Sequence, residues 1–582
     1  MADNARDAKA FYDSRPWLQA YGEGIPHELP RPDHQSVAEL IRSASRQHRD
    51  RIAYTLCLDN GMHASLRYSE VDRLSDCFAA YLREELGLQP GERVAVQMPN
   101  CLSYPVAVAG ILKAGLVVVN VNPLYTASEM KGQLRDSGAS TLLLIDLFAD
   151  KLQDGLDGTM VKHVLLAGIA EFFPLPRKLI IRAALTLKKQ LPKPNRPCTR
   201  FADALRVGQR HLDRNPAAAR ADAGDHRQLA VLQYTGGTTG IPKGAMLSHG
   251  NLLWNLDQIQ AVAGPVIRSG QDVVLTALPL YHIFAFTFNM LCFYRNGCRN
   301  ILCPTPRPPS KLRKAFEQFD VTKFSGVNVL FHALTREDWF RDNTPPVDMS
   351  IAGGTALHAP VAEAWEALVG SPLCEGYGLS ETSPVVAVNQ PTGRILLGSI
   401  GLPVPGTDVR MVDDNDVPVP CGQPGELTVR GPQVFSGYWN RETESADALR
   451  DGWFHTGDIA IMDERGFIHI VDRKKDMIDV KGFNVYPNEV EEVLGTHPDV
   501  VEAAVIGLPC GEAGESVIAY VVSSNLALTA EDVLAFVRDR LTGYKCPQRI
   551  VFREELPKSP VGKILRKELR REAIAEAESA TT

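Results

Sequence analysis

Residues 234–244, YTGGTTGIPKG, gather the groups that hold phosphate: glycines, three threonine hydroxyls and a lysine. Gly236, Gly237 and Gly240 tolerate positive φ, so successive backbone N–H groups can turn toward one anion. Thr235, Thr238 and Thr239 add hydroxyl donors, and Lys243 adds a point charge. The nucleotide-hydrolase loop needs Gly-Lys followed by Ser or Thr. Lys243 lies between Pro242 and Gly244, so that loop is excluded. A plain surface turn would use the same residue types. Comparable groups recur downstream. Tyr377 stands between Gly376 and Gly378, where backbone can approach a planar ring, with Ser380 and Glu381 just beyond. Asp458, in HTGD, offers only acceptors. Lys563 follows Pro-Val-Gly and precedes a helical stretch. Each has a bland reading as well: a turn aromatic, a helix N-terminal carboxylate, a turn aspartate, a solvated lysine.

The elements that must position these groups are those of a large protein. A chain of 582 residues with 45% apolar and 23% charged residues supports more than one packed core. Its net charge of −7 excludes a general nucleic-acid binder, so a polyanionic ligand must be met by local basic clusters. The eleven cysteines show no C-x-x-C spacing and read as reduced thiols of a cytoplasmic protein. Cys292, Cys298 and Cys303 read as small buried hydrophobes rather than a zinc site. The first thirty residues are polar and resemble no secretory signal. Residues 273–294 are apolar enough to raise a membrane span. Pro279, His282 and Asn289 inside them point instead to a buried strand to about Ala277, a loop and a core helix.

Between residues 36 and 145, strands alternate with helices after a hairpin, which predicts parallel α/β layers. LAVLQ (229–233) reads as a buried strand, and Ser248 as the cap of the following helix. Near residue 400, short strands and turns replace the helices. The predicted class is therefore α/β: a large N-terminal domain, 1–471, of layered α/β subdomains plus a β-rich subdomain at about 398–471. A hinge at 472–476 and a small α+β C-terminal domain, 477–582, follow. Residues 172–197 are basic, apolar and bounded by prolines. Leu179, Ile180, Ala183, Leu187 and Leu191 form one stripe, with Arg177, Lys178, Arg182, Lys188 and Lys189 around it. Such a helix either docks on its own domain or lies on an anionic membrane surface.

Seven stretches stand in order: the glycine–threonine loop, PLYHIFAF (279–286), GGTAL (353–357), EGYGLSET (375–382), GWFHTGDIA (452–460), DRKKDMIDVKGFNVYPNEVE (472–491) and LPKSPVGKILRKEL (556–569). The series resembles the adenylate-forming superfamily of acyl-CoA synthetases, luciferases and peptide-synthetase adenylation domains. It is most similar to bacterial long-chain fatty acid–CoA ligases, from about residue 36 to Leu569. The resemblance implies a two-step reaction. A fatty acid carboxylate attacks the α-phosphate of ATP, and coenzyme A then displaces AMP. It implies that Thr235, Gly236, Gly237, Thr238, Thr239, Gly240 and Lys243 hold the outer phosphates, and that Thr235 and Glu381 lie near Mg²⁺. Gly354, Thr355, Gly376, Tyr377 and Gly378 would line the adenine, and Ser380, where relatives usually carry Thr, the α-phosphate. Asp458 and Arg473 would take the ribose. Lys563 is implied as the catalytic cation and His282 as its neighbour near the carboxylate. Lys475 matches the pivot of a mobile C-terminal domain. Lys481 and Gly482 would face coenzyme A after rotation. Phe286 is either an acyl-tunnel gate or simply core.

A medium-chain or aryl-CoA ligase would keep the same nucleotide motifs. A ligase that stops at the adenylate commonly carries an insertion before the hinge, which RGFIHIVDRKKDMI lacks. A non-catalytic fatty-acid or nucleotide sensor would not need Lys563, Asp458, Arg473 and Glu381. The expected partners are small molecules, with no nucleic acid. Peripheral association with the inner membrane and a homodimer are left open.

Overall fold

The computed structural model describes residues 2–219, 224–235, 242–480, 483–510, 514–559 and 563–581. Two sheets form the body. One has seven strands in the order 199–200, 163–167, 141–145, 93–97, 117–120, 229–235, 243–248. Its neighbours are parallel except the last pair. The other has nine, in the order 402–403, 385–388, 373–378, 349–353, 323–326, 273–276, 299–302, 52–57, 63–67. It is parallel in the middle and antiparallel at both ends. The inner strands Val117–Asn120 and Thr141–Ile145 are buried on both faces, as their unbroken apolar runs require. Local signals terminate the helices between them. Thr126 Oγ1 accepts from the Glu129 N–H at 3.3 Å to start Ala127–Ser137, and Gly138, at φ 60°, ends it. Ser248 likewise caps His249–Ala263, its Oγ accepting from Asn251 N–H at 3.1 Å.

The apolar run at 273–294 resolves as expected. Val273–Thr276 is a strand, and Ala285–Cys292 is a fully buried π-helical segment. Among the described residues, no helix is long and apolar enough to cross a membrane. Cys292, Cys298 and Cys303 are buried in the same core.

Leu402–Pro403 still pairs within the nine-stranded sheet. The five-stranded β sheet that follows begins at Asp408 and contains Asp408–Val412, Gly425–Arg430, Leu449–Arg450, Trp453–Met462 and Ile468–Arg473. After Arg473 the chain turns and enters a small unit with its own core around Val490, Val505, Val517 and Val533. Three strands, Val500–Pro509, Glu515–Ser523 and Arg549–Phe552, pack with helices Pro487–Gly495, Ala530–Arg538 and Arg566–Thr581.

The basic helix Leu175–Leu187 departs from the docked-stripe expectation. Ile181 is its buried residue, whereas Leu179, Ile180 and Leu187 face solvent. Its inner face is held partly by charge: Lys178 Nζ donates to Glu171 Oε1 at 2.7 Å.

Candidate active site

The segment leading to His282 is fastened between the two sheets by buried amides. Asn100 Nδ2 donates to the carbonyls of Thr276, Leu278 and Cys303 at 3.2, 2.9 and 3.1 Å. Its Oδ1 accepts from Leu280 N–H at 2.8 Å. Gln233, on the strand before the glycine–threonine loop, donates from Nε2 to the Tyr281 carbonyl at 3.1 Å. These bonds fix where His282 emerges, because each buried amide loses its partner if the segment shifts. His282 is half-buried. Desolvation, with the Lys563 ammonium second, pushes its pKa down to about 4. The ring is neutral at pH 7. Its Nδ1 faces Phe284 N–H at 3.4 Å, which leaves Nε2 to carry the proton.

Asp458 and Arg473 face each other across neighbouring strands of the five-stranded sheet. Arg473 Nε lies 3.3 Å from Asp458 Oδ1. On the other side, Tyr377 donates its hydroxyl to Asp458 Oδ2 at 2.5 Å. Burial and the Asp458 charge hold the Tyr377 phenol protonated, well above its ordinary value. Tyr377 sits at the end of strand Leu373–Gly378, where Gly378 is sterically required: a Cβ there would meet the Pro384 carbonyl oxygen at 2.0 Å. Gly376 pairs with Gly353 on the adjacent strand, and Gly354 and Thr355 follow directly. Among the described residues the buried Thr355 hydroxyl has no hydrogen-bond partner.

Glu381 belongs to the one-turn helix Ser380–Thr382 and is buried. Desolvation raises its pKa. Tyr438 donates its hydroxyl to Glu381 Oε1 at 2.7 Å, and the Lys243 ammonium lies 5.2 Å from the Tyr438 ring centroid. Lys243 pairs in register with Thr235. Thr235, Lys243, Tyr438 and Glu381 therefore form one chain of neighbours. Hydroxyl and carboxylate oxygens are the hard donors Mg²⁺ prefers, and that ion commonly takes few protein ligands beside substrate phosphates. The donor set fits such an ion. Gly236, Gly237, Thr238, Thr239 and Gly240, and likewise Lys481 and Gly482, lie outside the described residues.

The C-terminal unit reaches this cleft through Lys563. Its pKa falls to about 7, first by burial, then by Arg473, with Asp458 opposing and Lys475 and Arg566 adding to the fall. Lys475 is pushed down to about 8, again by burial first and Arg473 second. The strand bearing Arg473 is tied to the C-terminal unit by Asp472, which is fully buried. Asp472 Oδ2 accepts from Asn488 N–H at 2.6 Å, at the start of helix Pro487–Gly495, and burial raises its pKa to about 6. Arg566, at the start of helix Arg566–Thr581, is turned inward rather than to solvent. It pairs with Glu491 at 2.7 Å and approaches Asp476 at 3.4 Å and Asp472 at 3.8 Å. These three carboxylates and Asn488 Oδ1 converge on it because helix Arg566–Thr581 starts against residues 472–476.

Thus His282, Tyr377, Glu381, Asp458, Arg473, Lys475 and Lys563 converge on one region. Phe286 is fully buried in the large core. Sequence reasoning missed Asn100, Gln233 and Tyr438. Tyr438 carried a signal, since FSGYWN is an aromatic-rich turn beside the β-rich subdomain. The two amides carried none.

Known proteins share this architecture. A profile for AMP-binding enzymes matches residues 41–439, and one for the AMP-binding enzyme C-terminal domain matches residues 489–563. A long-chain-fatty-acid–CoA ligase of Escherichia coli O6:H1 is 46% identical over 560 residues, covering 96% of this chain and 98% of that protein. A ligase of the same name from Haemophilus influenzae is 41% identical over 564 residues, covering 96% and 98%. A benzoate CoA ligase from Burkholderia xenovorans superposes with a TM-score of 0.77 at 26% identity, covering 91% of this chain and 99% of that one. The chain belongs to the AMP-binding enzyme family and carries that family's C-terminal domain.

Proposed function

We propose that this protein is an AMP-forming long-chain fatty acid–CoA ligase. The observation that carries the reading is the cationic cleft. Lys563 enters from the C-terminal unit beside the Asp458–Arg473 pair and the neutral His282. The full-length likeness to long-chain-fatty-acid–CoA ligases supports the acyl class.

In the first step a carboxylate oxygen attacks the α-phosphorus of ATP, the bond to the β-phosphate oxygen breaks, and diphosphate leaves. Asp458 would accept from the ribose hydroxyls, its carboxylate already held by Tyr377 and Arg473. The Tyr377 ring would stack on the adenine, with Gly354, Thr355 and Gly376 at its edge and Ser380 near the α-phosphate. His282, neutral and protonated on Nε2, would donate to the fatty carboxylate without adding charge. Lys563 would bridge that carboxylate and the α-phosphate, a preorganised donor aimed at developing charge. Lys243 and Thr235, with the loop between them, would hold the outer phosphates. Mg²⁺, held by Glu381 and Thr235, would neutralise phosphate charge when bound. In the second step the coenzyme A sulfur attacks the acyl carbonyl, the bond to the phosphate oxygen breaks, and AMP leaves. Rotation of residues 477–582 about Lys475 would replace Lys563 by the segment containing Lys481 and Gly482. The enzyme would work in the cytoplasm and take its acid from the inner membrane leaflet.

An aryl- or medium-chain CoA ligase is the second reading, favoured by the likeness to the benzoate ligase. ATP–diphosphate exchange separates the two. Exchange with oleate far above that with benzoate or octanoate, followed by oleoyl-CoA formation, supports the long-chain reading. Exchange with benzoate or octanoate but not oleate overturns it. A folded protein with no exchange on any acid is a sensor, not a ligase.

A further inference from the structure

The helix Leu175–Leu187 is inside out for a surface helix. Its inner face is Ile181, which is buried, flanked by the half-buried Lys178 and Leu185. Lys178 there is already committed to Glu171. At about 100° per residue, Leu179, Ile180, Ala183 and Leu187 fall on one arc opposite that inner face. Leu179 is 59%, Ile180 60% and Leu187 85% exposed, and Leu175, beside the arc, is 69% exposed. A soluble helix normally buries its apolar stripe and turns charge outward. Here the outer stripe is aliphatic. Arg182 borders it on one side, and Arg177 and Lys188 border it on the other.

Charge distribution identifies what the face fits. Residues 172–202 contain eight basic residues, Arg177, Lys178, Arg182, Lys188, Lys189, Lys193, Arg196 and Arg200, and no carboxylate. The whole chain carries −7. The protein as a body is repelled by an anionic surface, and this segment is drawn to it. An aliphatic stripe between basic flanks is the pattern of a helix lying in the headgroup boundary. A protein partner would call for aromatic anchors in pockets, and the stripe has none. We propose that this helix docks the protein on an anionic phospholipid bilayer, with the stripe in the acyl boundary and the basic flanks on headgroup phosphates. This deepens the membrane placement above and is tested without the reaction. Vesicle binding needs no substrate, and exchange on dispersed oleate needs no bilayer.

The full-length protein is floated with phosphatidylcholine vesicles and with vesicles that also contain phosphatidylglycerol, at low and high salt. Wild type is expected to bind the phosphatidylglycerol vesicles and to lose binding on phosphatidylcholine or in high salt. The double variant R182Q/K188Q should partition about fivefold less per removed charge, about 25-fold in all. The triple variant L179Q/I180Q/L187Q should lose binding to the phosphatidylglycerol vesicles as well. All five side chains are exposed, and of them Arg182 also acts on the charge of Asp146; an unchanged thermal transition is expected and shows that folding survives. The proposal is overturned if the triple variant floats like wild type, or if binding ignores phosphatidylglycerol. It is equally overturned if wild type is a dimer that the triple variant dissociates, since the stripe is then a self-interface.

Discussion

Replacing Lys563 by methionine removes one ammonium and keeps the length and apolar stem of the side chain. The wild-type group is held at about 7 against an ordinary 10.5, by burial and then by Arg473. At about 1.36 kcal/mol per pH unit, that gap corresponds to about 5 kcal/mol. The sign follows from which state binds the proton. With the C-terminal unit swung away, the amine keeps its proton up to about pH 10.5. In the cleft it loses the proton near 7. The cost of inserting the ammonium is therefore fully present below about pH 7. It shrinks between about 7 and 10.5 and is absent above. Phosphate anions in the cleft oppose this cost and raise the pKa of the bound complex. The value of kcat/KM for ATP, which reports free enzyme, should fall as pH rises through about 7, while kcat should hold to higher pH. In Lys563→Met that descending limb should disappear, and adenylation should drop about 10²–10³-fold, or about 3–4 kcal/mol. ATP–diphosphate exchange measures the first half-reaction. Thioester formation from supplied acyl-adenylate measures the second, which should survive. Equal loss in both halves, or a limb that persists in the variant, refutes the assignment.

Three other substitutions probe the same cleft. Tyr377→Phe keeps the ring but removes the 2.5 Å bond to Asp458; KM for ATP should rise about tenfold with kcat little changed, as expected for a bond to a charged group. A change in kcat alone would reject this. Tyr438→Phe frees Glu381 Oε1. Exchange should fall about tenfold and need more magnesium, whereas an unchanged magnesium dependence would separate Tyr438 from the metal. Arg566→Leu strands Glu491 and the buried Asp472. Removing one partner of such a cluster costs about 3–5 kcal/mol, visible as earlier urea unfolding or faster amide exchange in residues 477–559. Wild-type protection there would show that the cluster is not structural.

The layered fold was legible because its signals are local. Apolar runs of four or five residues such as Val117–Asn120 and Thr141–Ile145, bounded by Thr126 and Gly138, announce buried strands and capped helices without any tertiary knowledge. The stretches proposed to hold the nucleotide stand out in the sequence because each is contiguous. The fastening of His282 was not legible. Asn100 lies 178 to 203 residues from the carbonyls of Leu278 and Cys303, and an asparagine in a loop carries no mark of what it will meet. The burial of Arg566 was illegible for a related reason. In a helix rich in Arg and Glu, spacing says which residues share a face but not that one end abuts a buried aspartate. The stripe at 175–187 shows the limit of periodicity itself, which finds an apolar face and cannot say whether the protein or something else covers it.

The charges of the cleft suggest why one active site would need two arrangements. Asp458 and Glu381 are its carboxylates, and Lys243, Arg473, Lys475 and Lys563 are its cations. Burial first, and then repulsion among three of those cations, depresses both lysines: Arg473 acts on Lys475, and Arg473 and Lys475 act on Lys563. Lys563 therefore enters this cleft at a cost when it carries its proton. A bound triphosphate supplies the missing negative charge and favours insertion. Loss of diphosphate then removes most of that charge, while the neutral mixed anhydride carbonyl replaces the fatty carboxylate. The repulsion would then return once Lys563 had completed its proposed step, and the contacts of Asp472 with Asn488 and Arg566, which span residues 472–476, would have to open for the unit to leave. The stroke of the C-terminal unit would then follow from charge transfer in the first half-reaction, with no separate signal required.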